Sequence, residues 1–170
     1  MFTFIVENLN YLPRRVLAAI CLGALGLLAF GLYLQHVVGL NPCPMCIVQR
    51  YALLLVAIWA GLGACLRGRG GLLTLSGLLL VTAVAGAFVA ARQSWLQWYP
   101  PEIASCGRDL YGMIETFPLK KVLPMIFRGS GDCTALDWTF LGGTIANWSF
   151  ICFSTFALLA AALLVRQWRR

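Results

Sequence analysis

Apolar residues run almost unbroken through four stretches of the chain, 16–34, 47–66, 72–91 and 148–165, and polar positions crowd into the intervals between them. Each stretch is close to the roughly 20 residues that an α-helix needs to cross a hydrocarbon core. The pattern predicts an all-α membrane protein, a four-transmembrane-helix bundle forming one domain over residues 1–170, with loops at 35–46 and 92–147 on one side. Composition agrees, because 61% apolar and 11% charged residues leave too little polar surface to coat a soluble globule. The first stretch is long and leads into Gln35-His36-Val37 with no small-residue cleavage site, so it is expected to be a span and not a cleaved signal peptide.

Between the spans the pattern is uneven. Met1–Pro13 is expected to lie along the membrane surface through Phe2, Phe4, Ile5 and Leu9, and Gly23, Gly26 and Gly31 are expected to let the first span approach a neighbour closely. Arg67-Gly68-Arg69-Gly70-Gly71 reads as a tight connection too short to hold a ligand. The third span is expected to end at Ala91-Arg92-Gln93, with Trp95, Trp98 and Tyr99 anchoring the interface beyond it and Trp138, Phe140 and Trp148 returning the chain to that interface. Residues 92–147 form the one long polar segment, a length that usually signals function or disorder. Within it, Leu119, Val122, Leu123, Ile126 and Phe127 recur at helical spacing among Lys120, Lys121 and Arg128, which predicts a short amphipathic helix over Pro118–Phe127 lying flat on the membrane. A coincidental apolar run inside a loop is the alternative.

Thirteen basic residues against six acidic give a net charge of +7, which in a soluble chain would raise the question of nucleic acid. Their distribution answers it. Arg14 and Arg15, Arg67 and Arg69, and Arg166, Arg169 and Arg170 all fall on one side of a four-span bundle, and the positive-inside rule makes that side the cytoplasm, with both termini. On the other side Arg50, Arg92, Arg108, Lys120, Lys121 and Arg128 nearly balance Glu102, Asp109, Glu115, Asp132 and Asp137.

The chemistry is concentrated at Cys43-Pro44-Met45-Cys46, between the first two spans. Pro44 suits the first turn of a helix, where its missing N–H has no partner to lose, so the cysteines fall around a helix N-terminus. Exposed N–H groups and the positive end of the helix dipole favour thiolate there, and Arg50, at i+4 from Cys46, can share its face with the sulfur. A second pair, Cys106 and Cys133, sits in turn-rich surroundings on the same side, where disulfides persist. Cys21, Cys65 and Cys152 lie inside apolar runs and are expected to be small buried hydrophobes, and His36 an interfacial hydrogen-bonding group.

Three readings of the paired cysteines compete. Structural staples suit Cys106 and Cys133, since a bridge would close a long loop, but suit Cys43 and Cys46 poorly, whose bridge would restrain little that a helical turn has not fixed. On that reading the chain is a non-enzymatic membrane scaffold. A four-cysteine metal site is disfavoured by the wide spacing of the second pair, and no metal is expected. The third reading is a relay, in which an external dithiol attacks a Cys106–Cys133 disulfide and the resulting thiols reduce Cys43–Cys46. The chain shows no dinucleotide fingerprint and no Cys-x-x-Cys-His haem attachment, so a lipid-soluble quinone is the acceptor best suited to a thiolate at bilayer depth. Arg50 would then stabilise both the Cys46 thiolate and the negative oxygen that develops on the ring.

These residues resemble the disulfide bond formation protein B (DsbB) family of bacterial inner membranes. The resemblance spans nearly the whole chain: Gln35-His36-Val37, Cys43-Pro44-Met45-Cys46 with Arg50, Leu96-Gln97-Trp98-Tyr99-Pro100 leading to Cys106, and Gly129-Ser130-Gly131-Asp132-Cys133 before Trp138. It implies a four-helix bundle that reoxidises the periplasmic dithiol oxidase DsbA and reduces ubiquinone, or menaquinone without oxygen. A paralogue serving a dedicated dithiol partner is the in-class alternative. The resemblance also implies that Cys106 is attacked by DsbA, that Cys133 exchanges with Cys43, that Cys46 faces the quinone and that Arg50 is the quinone-site arginine. Better-known members carry a histidine near the outer end of the third span where Arg92-Gln93-Ser94 stands here. Gln93 can donate a hydrogen bond to a quinone oxygen but cannot supply a proton near neutral pH.

Overall fold

The computed structural model describes residues 2–66, 68–100 and 138–169, with side chains from Pro13 onward. Its elements are α1 (Phe2–His36), α2 (Pro44–Cys65), α3 (Arg69–Trp98), a two-stranded antiparallel hairpin of β1 (Thr139–Phe140) and β2 (Gly143–Thr144), and α4 (Ile145–Trp168). Four stretches, Pro13–His36, Pro44–Cys65, Arg69–Trp98 and Ile145–Trp168, are long and apolar enough to cross a membrane, and the protein is an all-α multi-pass bundle with a small hairpin at one end. The expected amphipathic helix over Pro118–Phe127, Cys106, Cys133 and Arg67 lie outside the described residues.

The helices outrun the apolar stretches that signalled them. Helix α1 is continuous from Phe2 with Pro13 inside it, so the N-terminal residues extend the first helix and are not a separate segment. A helix in a bundle tolerates an internal proline because its neighbours can satisfy the freed carbonyl. Helix α3 continues past Ala91 through Arg92, Gln93, Trp95 and Trp98, and α4 opens at Ile145, which places Trp148 on the helix. Hydropathy marks where side chains stop being apolar, whereas the backbone ladder runs on. At 30 residues α3 is about 45 Å long against a hydrocarbon core of about 30 Å, so its final turns carry polar side chains alongside the cysteines.

Each helix packs on its sequence neighbour, α1 on α2, α2 on α3 and α3 on α4, whereas α1 and α4 scarcely touch. The core is a seam of small and branched residues, including Leu17, Ala24, Val56, Ala60, Leu79, Ala83 and Phe153, all with no solvent exposure. Close approach is fixed by glycines other than those expected on α1. A Cβ built on Gly86 would lie 2.4 Å from the Phe153 ring, and one on Gly63 would lie 3.0 Å from Leu17. At Gly26 a Cβ would meet nothing within 4 Å, and at Gly23 it would make an ordinary 3.7 Å contact with Phe156. The α1 glycines therefore do not set the helix spacing. Cys65 is also not buried, being exposed on the last turn of α2, while Cys21 and Cys152 are half-buried.

An aromatic chain spans the gap between α1 and α4 at the cysteine end. Phe30 meets Trp138 edge-on at 5.7 Å, Trp138 stacks on Phe140 at 6.0 Å, and Phe140 leans on Trp148 at 6.2 Å. The Trp148 indole N–H donates to the Phe140 carbonyl at 3.0 Å, and a Cβ on Gly143 would meet that nitrogen at 2.9 Å. Gly142, at φ +78°, supplies the left-handed backbone of the turn.

Candidate active site

Chain reversal between α1 and α2 is tight. Gly39, at φ +80°, lets the chain fold back so that Leu40 N–H bonds the Leu34 carbonyl at 3.0 Å. Pro44 then opens α2 with Cys43 as the N-cap, and the Cys43 Sγ accepts from the Cys46 N–H at 3.3 Å. The expected placement of both cysteines at a helix N-terminus holds. Their sulfurs lie 2.8 Å apart, a separation that a small side-chain rotation closes to a disulfide of about 2.05 Å. Met45, with no solvent exposure, packs with Cys43, Val89 and Leu96 and seals the motif against α3.

Gln93 reaches both sulfurs from the end of α3. Its Nε2 donates to Cys43 Sγ and to Cys46 Sγ, each at 3.3 Å, and its Oε1 accepts from Gln49 Nε2 at 2.7 Å and, more distantly at 3.8 Å, from the Cys46 thiol. Both glutamines are 4% exposed. Arg50 turns to the other side of α2, where its guanidinium donates to Gln35 Oε1 and, at 2.9 Å, to the Gly31 carbonyl, so α1 fixes the direction of the charge. Thr144 caps α4 by accepting from Asn147 N–H at 3.3 Å and donates to Gln97 Oε1 at 2.7 Å, which ties α3 to α4 beside the same site. His36 is exposed at the end of α1.

These side chains enclose a cavity of about 100 Å³ bordered by Cys43, Cys46, Arg50, Gln93, Gln97 and Thr144. A second cavity of about 500 Å³ adjoins it and shares Gly31, Leu34, Trp138 and Ile145. Its remaining walls are mostly apolar, with Leu27 and Phe30 from α1, Cys152 and Phe153 from α4, Leu53 from α2 and Phe140 from the hairpin, so it lies between α1 and α4, which scarcely touch. The polar groups of the pair gather at the sulfurs, and the larger cavity is almost wholly apolar.

Of the residues singled out from the sequence, Cys43, Cys46, Arg50 and Gln93 come together here, while Cys106 and Cys133 lie outside the described residues. Sequence reasoning missed Gln49, Gln97, Thr144 and the carbonyl of Gly31. Gln49 did carry a signal. It stands on the buried stripe Met45, Gln49, Leu53, Val56 of α2, where an amide is costly unless it has a partner.

A family model described as disulfide bond formation protein DsbB matches residues 13–163. Among curated proteins, a disulfide bond formation protein B of Polaromonas naphthalenivorans (strain CJ2) is 68% identical over 163 residues, covering 96% of this chain and 98% of the relative. That of Paracidovorax citrulli (strain AAC00-1) is 65% identical over 93% of this chain and 90% of its own length. That of Azoarcus sp. (strain BH72) is 56% identical over 89% and 92%.

Proposed function

Because the chain belongs to the DsbB family of disulfide bond formation proteins, we propose that it is a quinone-dependent thiol oxidase that reoxidises a periplasmic DsbA-type dithiol oxidase and passes the electrons to ubiquinone or menaquinone. One observation carries the choice of acceptor: the Cys46 sulfur borders a small cavity that holds Arg50, Gln93 and Gln97 and adjoins a larger, apolar one between α1 and α4. A ligand with a polar ring and a hydrocarbon tail matches that pairing, and a water-soluble cofactor does not. Arg50 borders the ring end with guanidinium N–H donors suited to a carbonyl oxygen, and Gln93 borders it with its amide engaged on the sulfurs. Bound there, a quinone supplies an acceptor for two electrons and two protons.

The chain's own groups then divide the work. Cys106 takes the attack of the partner's thiolate, and Cys133 exchanges with Cys43, which leaves Cys46 as the sulfur that faces the acceptor. Gln93 holds both sulfurs of the first pair in one place. Arg50, already anchored on Gln35 and Gly31, presents a fixed positive charge that needs little reorganisation when negative charge develops nearby. The Trp138–Phe140–Trp148 chain roofs the gap on the cysteine side. Arg14 and Arg69 lie at the opposite end of the bundle, bonded to Ala64 and Gln167, which supports an inner-membrane topology with cytoplasmic termini and periplasmic cysteines.

The test is anaerobic mixing of purified protein, a defined quinone and a reduced DsbA-type dithiol, with quinone absorbance followed over time. One quinone reduced per dithiol consumed is expected. Dithiol consumption with no change in quinone absorbance, or no consumption at all, would remove this reading.

A further inference from the structure

Two buried amides on neighbouring helices meet at the sulfurs. Gln49 occupies the interior stripe of α2 and Gln93 that of α3, each with 4% exposure, so both sit where an amide without partners would cost on the order of 1–3 kcal/mol. The hydrogen bond between them does more than remove that cost, because an amide has two unlike ends. Gln49 Nε2 donates to Gln93 Oε1 at 2.7 Å, which holds that oxygen toward α2 with only a longer 3.8 Å contact from the Cys46 thiol, while the Gln93 Nε2 stands 3.3 Å from both Cys43 Sγ and Cys46 Sγ. The reverse orientation would bring the partly negative oxygen closer to both sulfurs, in place of the donor nitrogen. With both amides 4% exposed, such dipoles act with less screening than in water.

We propose that Gln49 is a positioning residue that locks the Gln93 amide with its N–H groups toward Cys43 and Cys46, and that this lock stabilises the reduced state of the cysteine pair. Reduction of the Cys43–Cys46 bridge takes up two electrons and breaks one S–S bond, leaving two sulfurs of which at least one carries negative charge until it is protonated. Amide N–H donors bind that charge more strongly than they bind the neutral disulfide. Stabilising the reduced form makes the pair a stronger oxidant of an incoming thiol. A neutral amide makes this contribution at any pH, because it does not titrate, and Gln49 acts on the sulfurs only through Gln93. The inference rests on the reading of Cys43 and Cys46 as an exchanging pair but not on the identity of the final acceptor.

The experiment uses the full chain carrying Cys106→Ser and Cys133→Ser, so that one exchanging pair remains. The protein is equilibrated anaerobically at pH 7 with excess glutathione and glutathione disulfide, acid-quenched, and its thiols are counted by mass-tag alkylation. Gln93→Met is expected to shift the equilibrium about tenfold toward the disulfide, which is about 30 mV. Gln49→Met is expected to shift it about three- to tenfold in the same direction. The double variant is expected to match Gln93→Met alone, because the orienting bond has nothing left to orient. Gln49→Asn, which keeps the amide but is one methylene too short to hold the 2.7 Å bond, provides a gentler second variant with a shift of the same sign. An unchanged equilibrium in Gln49→Asn or in folded Gln49→Met would overturn the proposal, as would a Gln49 effect that persists in full when Gln93 is already Met. No quinone enters the assay, so a failed quinone assay and a failed positioning role are separate results.

Discussion

At the end of the bundle away from the cysteines, arginines join helix to helix through backbone carbonyls: Arg14 Nε donates to Ala64 O at 2.8 Å, and Arg69 Nη2 to Gln167 O at 3.0 Å. Those carbonyls lie in the last turns of α2 and α4, where the helix leaves acceptors without intrahelical donors and the dipole is negative. Arg14 and Arg69 each complete a helix end. At the cysteine end, Arg50 also bonds a carbonyl, that of Gly31, yet it borders a cavity that it shares with a sulfur. Beside it, Gln93 directs its donors at sulfur. One residue type thus closes a structure at one end and faces a reactive group at the other. The difference lies in what the donors meet, and in whether space is left beside them.

The largest effects should separate the two ends completely. Cys46→Ser is expected to lower dithiol-driven quinone reduction by more than about a thousandfold, because no other group replaces the sulfur. Cys65→Ser, on the exposed last turn of α2, should leave the rate unchanged in the same absorbance assay. Next comes a matched pair of arginine variants. Arg50→Met should raise the KM for quinone by about 10- to 100-fold, the equivalent of a charge-assisted hydrogen bond of about 1.5–3 kcal/mol, with kcat changed less. Arg14→Met should lower the unfolding midpoint in detergent and leave that KM alone. An equal KM effect from both would erase the distinction drawn between the ends.

Two smaller effects probe what holds the ends in register. Gly86→Ala places a Cβ against the Phe153 ring and should cost about 1–3 kcal/mol in thermal unfolding, partly restored by Phe153→Leu. Thr144→Val removes the α4 cap and its bond to Gln97, and about 1 kcal/mol is expected, read as a lower unfolding midpoint.

Much of this arrangement was legible along the chain. Four apolar stretches predicted four membrane-length helices, and Pro44 predicted that Cys43 and Cys46 would flank a helix start. The positions where helices end were less legible, because Arg92, Gln93 and Ser94 look like an exit from the membrane while the α3 backbone continues to Trp98. The resemblance places Gln93 at the site, but reading it as the end of a span obscures that it lies on the buried face of α3 with Gln49 as its partner. Spacing shows which residues share a face of one helix, but not which faces meet. Nor could it reveal that α1 and α4 stand apart, since that follows from how α1–α2, α2–α3 and α3–α4 pack as neighbours.

On the proposed reading, the opening between α1 and α4 brings a lipid-dissolved acceptor to Cys46. Irradiating the protein in bilayers with a photoreactive quinone analogue and mapping the labelled peptides tests it directly. Label is expected on the α1 segment containing Gly31 and Leu34 and on the α4 segment containing Ile145 and Phe153, and an excess of unmodified quinone should displace it. Label confined to the Arg14–Ala64 end, or to outward faces of α2 and α3, would contradict the claim.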